Sequence, residues 1–434
     1  MHGHAYNIGS GEWDPTPQIY TQEENVKELR KFISLAIILA VTTLGSCDFS
    51  GDAGKDNSKS DTISIMTWNM QAMFDGEDNG IEYDEYAASA GWTKEKYQAR
   101  ILAVSKAIGG MNVIPDIIAI QEVESEQVVD DLAASLSGHG YKWIHFANSP
   151  DMSLGVGILS RYPLIETRSH SININGDATP RPVLEVKVKA DKSALNKSAA
   201  DKSAVDKSDA DKSAGKNGAS HEISDGKSLT LFVCHWKSKL GGEAMTEETR
   251  RASARIILRR IRELAVREPD MPVIVMGDLN ENYDEFYRRS GEAICALLPD
   301  DTRAFELSDF YGVGKYDAIS CAELQKDFLI ITRNKPPRAR YFPNDAITLY
   351  TPWTNELENG SYYYKNAWET IDHFLLSRQL FDGTNWEFDT CTVVNYPPFA
   401  SIAGRPVAYN PRTGYGLSDH LPLQLFLKWE DISP

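Results

Sequence analysis

The segment VIVMGDLNEN, residues 273–282, is an apolar run that ends, through Gly277, on Asp278 and Asn280. Four consecutive branched or bulky apolar residues, entered by Pro272, read as a short strand buried on both faces. Polar residues at the end of such a strand are held rigidly. The same pattern recurs along the chain. Asn69 follows Ile65-Met66-Thr67-Trp68, Gln121-Glu122 follows Ile117–Ile120, and His235 follows Leu231-Phe232-Val233-Cys234. Asp372-His373 abuts Phe374-Leu375-Leu376, and Ser418-Asp419-His420 precedes Leu421–Phe426. One polar strand end is usually a turn. Six of them, carrying Glu, Asp, Asn and His but no Lys, point to one pocket that holds a hard metal beside acid–base groups.

Working outward, further strands are expected at Ser64–Trp68, Gly155–Leu159, Val183–Val188, Leu229–Cys234, Ile371–Leu376 and Leu423–Trp429. Helical spacing predicts a helix over Lys94–Gly109, with Tyr97, Ile101, Val104 and Ile108 on one face, and another over Thr249–Arg267, with Ala254, Ile257, Ile261 and Leu264. On the second helix Arg251, Arg255, Arg259 and Arg262 lie off the apolar stripe. They form a solvated cationic face, or one near the N-terminus faces a phosphate. Ile/Val/Leu-rich strands mixed with helices argue for an α/β (α+β) sandwich. Residues 299–360 are loop-rich and fit an insertion over the rim of the site.

The chain has 434 residues, 42% hydrophobic and 25% charged, which excludes a fully disordered or collagen-like protein. Its length provides a sizeable core. With 45 basic and 62 acidic residues the net charge is −17, which disfavours loose nucleic-acid binding through a basic coat but leaves room for a metal-assisted nuclease. Five cysteines are too few for a disulfide scaffold. Cys234 reads as a buried thiol, and Cys295, Cys321 and Cys391 offer at most one disulfide. No apolar run reaches the length of a membrane span.

Two segments stand apart from the fold. Residues 33–45 are a short apolar run after Lys27, Arg30 and Lys31, followed by Ser46 and Cys47, the layout of a secretory signal. Leu44-Gly45-Ser46-Cys47 resembles a bacterial lipobox, which implies lipidation of Cys47 and removal of residues 1–46. The polar stretch 47–61 is then a tether. Residues 1–26 are unusual ahead of such a signal, so translation is expected to start at Val26 from a GUG codon; a different codon there would exclude it. Residues 190–214 repeat a pentad, ADKSA with variants, inside a polar segment, 190–228, that lacks large apolar side chains and cannot bury a core. It reads as an expanded, disordered hairpin loop, with surface display of a repeat as the alternative.

Seven segments taken together resemble the endonuclease/exonuclease/phosphatase superfamily, whose fold is that of deoxyribonuclease I. They are TWNM (67–70), IQEVES (120–125), GVGILSRYPL (155–164), FVCHWKSK (232–239), MGDLNEN (276–282), TIDHFLLS (370–377) and LSDHLPL (417–423). The resemblance implies a catalytic domain over 62–430, a four-layer sandwich of two packed mixed, mainly antiparallel β-sheets flanked by helices. It implies that Glu122 is the principal Mg²⁺ ligand, flanked by Asn69 and Asp419, with Mn²⁺ or Ca²⁺ as substitutes. Asp278 and Asn280 would position or deprotonate the attacking water. His420, oriented by Asp372, would stand beside the scissile phosphate. His235 would be the second histidine, and Arg181 and Lys237 would meet substrate phosphate.

Three departures accompany it. The carboxylate that orients the first histidine in deoxyribonuclease I aligns near Leu154, which leaves the orientation of His235 unexplained, with Asp151 as a candidate substitute. Glu124 stands where that enzyme has a cationic contact to duplex DNA. Met276 and Glu281 replace the Trp and Arg that flank this motif in inositol-polyphosphate phosphatases. The expectation is an exported, lipid-anchored, monomeric Mg²⁺-dependent phosphodiesterase of the cell envelope, acting on nucleic acid. The rivals are a phosphoinositide phosphatase or sphingomyelinase-type lipid phosphodiesterase, and a catalytically inactive binding lipoprotein. Tyr362-Tyr363-Tyr364, near Trp353 and Trp368, is either a membrane-docking patch for the lipid reading or plain aromatic packing.

Overall fold

The computed structural model describes residues 61–150, 152–174, 180–191, 227–289, 295–300, 328–336, 347–353 and 359–430. The strands are β1 (Thr62–Met73), β2 (Ile117–Val123), β3 (Trp143–Ala147), β4 (Gly155–Ser160), β5 (Leu164–His170), β6 (Val183–Lys189), β7 (Ser228–His235) and β8 (Val273–Asp278). They continue with β9 (Leu297–Pro299), β10 (Leu329–Thr332), β11 (Thr348–Tyr350), β12 (Tyr362–Tyr364), β13 (Ala367–Glu369), β14 (Asp372–Leu376), β15 (Asn385–Val393) and β16 (Leu423–Glu430). The α-helices are α1 (Lys94–Gly109), α2 (Glu126–Ser135), α3 (Glu243–Arg267) and α4 (Glu285–Arg288). One sheet runs β15-β16-β1-β2-β4-β3 and the other β5-β6-β7-β8-β14-β11-β10-β9; β12 and β13 pair separately. Both large sheets are mixed: β1–β2 and β7–β8 are parallel at their centres, and antiparallel pairings predominate around them.

Side-chain alternation along each strand generates the layers. In β1, Ile63 and Ile65 enter the core between the sheets, whereas Met66, Trp68 and Met70 face α1 and α2. In β7, Leu229, Leu231 and Val233 face the other sheet, and Phe232 and Cys234 pack on α3. Both faces of each central strand are therefore buried, and these strands are apolar throughout. The result is the expected four-layer sandwich, with α1 and α2 outside the first sheet and α3 outside the second.

The structure extends several elements and adds others. β1 runs on to Met73, and α3 begins at Glu243 rather than Thr249. β3, β5 and β15 lack a strong alternating signal because their faces are mixed, whereas α2 is an amphipathic helix, with Ser125 at its N-cap and Val128, Val129, Leu132 and Ala133 buried, that the sequence reading passed over. Part of the loop-rich region 299–360 supplies the paired strands β10 and β11. On α3, Arg251 and Arg255 pair with Glu248 and Arg259 is exposed, so the stripe is a solvated face. β6 and β7 pair antiparallel up to Lys189↔Ser228, and Ala190 N–H donates to the Lys227 carbonyl at 2.8 Å. The pentad segment thus leaves and re-enters the fold at one hairpin end, and residues 192–226 themselves lie outside the described residues. So do the signal segment, Cys47, the tether up to residue 60, Asp151 and Cys321. Cys234 and Cys391 are buried free thiols, so Cys391 takes no part in a disulfide; Cys295 is buried too.

Candidate active site

The alternation that builds the layers also aims the polar strand ends. Asn69 has the parity of Ile63 and Ile65, His235 that of Val233, Asp278 that of Ile274 and Met276, and Asp372 that of Phe374 and Leu376. All four therefore turn into the gap between the sheets, at one edge. The register sets three of them in a row across the second sheet, His235↔Asp278↔Asp372.

Glu122 breaks its strand's parity. Ile118 and Ile120 face the helices, and an unbroken strand would send Glu122 the same way. Instead the register of β2 slips between Gln121 and Val123 against both neighbours, and Glu122 adopts φ 60°. The bulge swings the carboxylate into the gap and returns Val123 to the helix side. Asn280 also sits at positive φ, 53°. Non-glycine residues in this region cost about 1–3 kcal/mol each and gather at functional sites. Gly277, inside β8 just before Asp278, has φ 128°, and a Cβ there would stand 2.0 Å from the Cys234 carbonyl oxygen.

The groups converge in two linked clusters. In the first, Asn69 Nδ2 donates to Glu122 Oε1 at 3.1 Å and to Asp278 Oδ2 at 3.0 Å. His235 Nε2 stands 3.6 Å from Glu122 Oε1 and 3.7 Å from Asp278 Oδ2. Ligand atoms of Glu122, His235 and Asp278 lie within 4.8 Å of one another, an oxygen-rich set with one imidazole that suits a hard divalent cation. In the second cluster, His420 Nδ1 meets Asp372 Oδ2 at 2.8 Å. That pairing leaves Nε2 facing the cleft, with Asp419 Oδ1 4.0 Å away.

Electrostatics separates the two histidines. Burial holds the His235 ring neutral, well below the usual histidine range, reinforced by the charges of Arg181, His420 and Lys237. His235 Nδ1 is buried without a hydrogen-bond partner among the described residues, and Asp151, the expected substitute for an orienting carboxylate, lies outside them. His420 is the opposite case. Burial opposes its charge, but the charge and hydrogen bond of Asp372, with Asp419 and Asp278, hold it up at about 10. Burial raises Asp278 to about 7, the Asp372 charge adding to it and His420 opposing. Burial likewise raises Asp419.

The remaining expected residues are spread around this centre. Asn280 donates its backbone N–H to Asp278 Oδ1 at 2.9 Å and its side-chain amide to the Trp236 carbonyl at 3.1 Å. Asn69 presents N–H to the carboxylates because its Oδ1 accepts from Gln71 N–H at 2.9 Å. In this orientation it braces Glu122 and Asp278. Asp419 stands beside His420, and the Glu122 charge adds to the burial that raises its carboxyl. Arg181 is half-buried at the edge, donating to the Leu154 carbonyl at 3.3 Å. Lys237 is exposed, and Arg250 donates to its backbone carbonyl. Glu124 is buried and bound to Asp75 N–H at 2.6 Å, so it is a loop anchor and not a substrate contact.

Sequence reasoning missed the residues that hold these groups. Arg100 is buried and donates to the carbonyls of Met70, Gln71 and Ala72, at 2.5, 2.7 and 2.9 Å. It locks the left-handed turn at Gln71 and Ala72, whose N–H at Ala72 binds Glu122 Oε2 at 2.7 Å. A cation between Tyr97 and Val104, on the apolar face of a helix, was the available signal. Trp68 and Trp353 fix the backbone of the His–Asp pair, donating to the carbonyls of His420 and Asp372 at 2.9 and 2.8 Å. Tyr362 stacks on His420, with ring centroids 4.5 Å apart, which neither reading of the tyrosine run anticipated.

The whole assembly lies inside a match to the family model described as Endonuclease/Exonuclease/phosphatase family, residues 66–420. No curated protein matches the chain. Among solved structures, the chain is similar to an endonuclease/exonuclease/phosphatase family protein from Bacteroides thetaiotaomicron, at 13% identity and TM-score 0.44, covering 86% of this chain and 99% of that one. It is also similar to TDP2 from Caenorhabditis elegans, at 13% identity and TM-score 0.42, over 85% and 98% of the two chains. A mannosyl-6-phosphatase from B. thetaiotaomicron is 14% identical with TM-score 0.42, over 84% and 99%. Enzymes of the matched family hydrolyse phosphodiester or phosphate bonds and generally require a divalent metal. With the family model matching most of its length, the chain belongs to the endonuclease/exonuclease/phosphatase family.

Proposed function

We propose that this chain is a divalent-cation-dependent phosphodiesterase acting on nucleic acid, with Mg²⁺ as the physiological ion. One observation carries the reading: the inter-sheet gap joins a carboxylate–histidine cluster (Glu122, His235, Asp278) to a carboxylate-oriented histidine (His420 with Asp372). Glu122 would hold the ion, Asn69 would keep Glu122 and Asp278 in place, and His235 would stand beside both carboxylates. When bound, the cation supplies charge neutralisation at phosphorus and at the leaving oxygen. Asp278, with Asn280 hydrogen-bonded to it, takes a proton from the attacking water. His420 carries its proton on Nε2, opposite the nitrogen engaged by Asp372, and delivers it to the leaving oxygen. Arg181 and Lys237 attract the substrate phosphate at the edge. Nucleic acid is favoured over phosphoinositides by Met276 and Glu281, the latter buried and paired with Arg250 at 2.8 Å, so it offers no basic grip on a polyphosphate. We also propose export, anchorage through lipidated Cys47 and a monomeric state, supported by the apolar run 33–45 and the tether composition.

The test incubates the purified protein with supercoiled plasmid, single-stranded RNA, a phosphoinositide and sphingomyelin, each with Mg²⁺ or EDTA. Mg²⁺-dependent cleavage of nucleic acid, absent in the Glu122→Ala, His420→Ala double variant, is the expected result. Lipid turnover with intact nucleic acid would overturn the substrate assignment, and no turnover of any substrate would overturn the enzyme. Mass spectrometry of the processed N-terminus checks for a lipid on Cys47.

A further inference from the structure

We propose that the β12–β13 hairpin is a clamp for the His420–Asp372 pair, with Ser361 and Tyr362 as positioning residues: Ser361 fixes the carboxylate and Tyr362 fixes the imidazole plane. The hairpin belongs to neither large sheet, so its place at the site has to be explained by its own contacts. Ser361 is fully buried and its hydroxyl donates to Asp372 Oδ2 at 2.5 Å, the same oxygen that His420 Nδ1 meets. Its carbonyl accepts from Leu421 N–H at 2.7 Å, and its own N–H donates to the Glu369 carbonyl at 3.0 Å. The next residue, Tyr362, bridges backbone to backbone with His420 and stacks on its ring, centroids 4.5 Å apart and planes 25° apart. Tyr364, two residues on and on the same face, stacks behind Tyr362 at 5.9 Å and 15°.

The local sequence builds this clamp for little else. Lys365 and Asn366 both take positive φ, 46° and 66°, which is the two-residue turn that matches strand twist in a tight hairpin. Gly360 lets the entering strand close on β13, since a Cβ there would stand 2.1 Å from the Glu369 carbonyl oxygen. The opposite face carries Tyr363, packed edge-on against Trp368 at 5.1 Å and capped by the Arg405 guanidinium at 4.1 Å. One face thus anchors the hairpin and the other meets the His–Asp pair. An imidazole bonded through Nδ1 alone can still swing about that bond. A stacked ring removes that freedom, and such placement controls rate more than binding.

The test compares Tyr362→Phe, Tyr362→Leu, Ser361→Thr and Ser361→Ala in the full chain. Phe keeps the stack and Thr keeps the hydroxyl, so both are expected to stay within about twofold of wild type. Leu at 362 should lower kcat by roughly 10–100-fold with KM changed less than about twofold, and Ala at 361 should lower it by roughly tenfold. Independently of activity, the His420 Nδ1–H proton in NMR spectra should keep its wild-type position in the Phe and Thr variants and shift or broaden in the Leu and Ala variants. The kinetic comparison rests on the proposed hydrolase reading and the NMR comparison does not, so a wild type inactive on every substrate would defeat that reading while leaving the clamp testable. An unmoved resonance and unchanged kcat in Tyr362→Leu would overturn the proposal, as would Phe behaving like Leu. Should Tyr362→Leu fail to fold, Ser361→Ala against Ser361→Thr decides.

Discussion

Two sets of buried acids in this molecule are treated in opposite ways. Under α3, Glu185 accepts from Arg260 Nε and Nη2 at 2.7 and 2.8 Å and also meets His170 at 2.7 Å. Glu281 accepts from Arg250 Nε at 2.8 Å and from two backbone N–H groups, of Ala296 and Leu297. Each has a guanidinium in contact. At the edge of the sheets, Asp372 is paired with the charged His420 ring, but Glu122 and Asp278 meet only amides and the neutral His235, and no Lys or Arg is paired with either among the described residues. Buried carboxylates that serve the fold are matched inside the chain. Glu122 and Asp278 at the site are left to be matched by something the chain does not carry, which is the physical signature of a cation site.

The difference predicts opposite responses to neutralisation. The largest effect is expected for Asp278→Asn, which should lower turnover about 10²–10⁴-fold while leaving Tm, measured without divalent cation, equal or higher. A fall in both would place Asp278 with the structural acids. Next, Arg250→Met should cost about 3–5 kcal/mol in chemical denaturation, because Glu281 is left fully buried without its guanidinium. A cost near zero would erase the distinction from the other side. Third, Mg²⁺ should raise the wild-type Tm in a saturable way, by the equivalent of about 2.7 kcal/mol at a hundredfold excess over Kd, and should leave Glu122→Ala unmoved.

The smallest effect is acid sensitivity at Glu185. Burial would raise this carboxyl, yet the hydrogen bonds and charges of Arg260 and His170 hold it down at about 2. A lowered carboxyl contributes stability that is full above its unfolded value, about 4.3, and is lost as pH falls toward 2. Denaturation midpoints followed from pH 5 to 2 should therefore fall less steeply in Arg260→Leu than in wild type, from a lower starting point.

Much of this was legible because one rule, strand alternation, sets both the core and the direction of the polar ends. From VIVMGD the parity of Asp278 follows, and the same holds for Asn69, His235 and Asp372. What alternation cannot give is a departure from it. Glu122 reaches the site only through a bulge at positive φ, and a bulge leaves no pattern in IIAIQEV. Nor can short-range pattern show partners distant in sequence. Arg100 acts across 28–30 residues on the carbonyls of β1, and Trp68 across 352 on His420. Tyr362 belongs here too: its run reads as packing or docking until the hairpin turn at Lys365-Asn366 folds it against His420.

The most direct test of the unmatched-carboxylate site is hydrolysis of a chromogenic phosphodiester, bis-p-nitrophenyl phosphate, by wild type and Glu122→Gln as Mg²⁺ is titrated from EDTA upward. Wild-type turnover should rise from background to a plateau with Mg²⁺, and the variant, isosteric but uncharged, should stay near background at concentrations that saturate the wild type. Equal turnover in EDTA and in Mg²⁺, unchanged by the substitution, would contradict a cation held by Glu122.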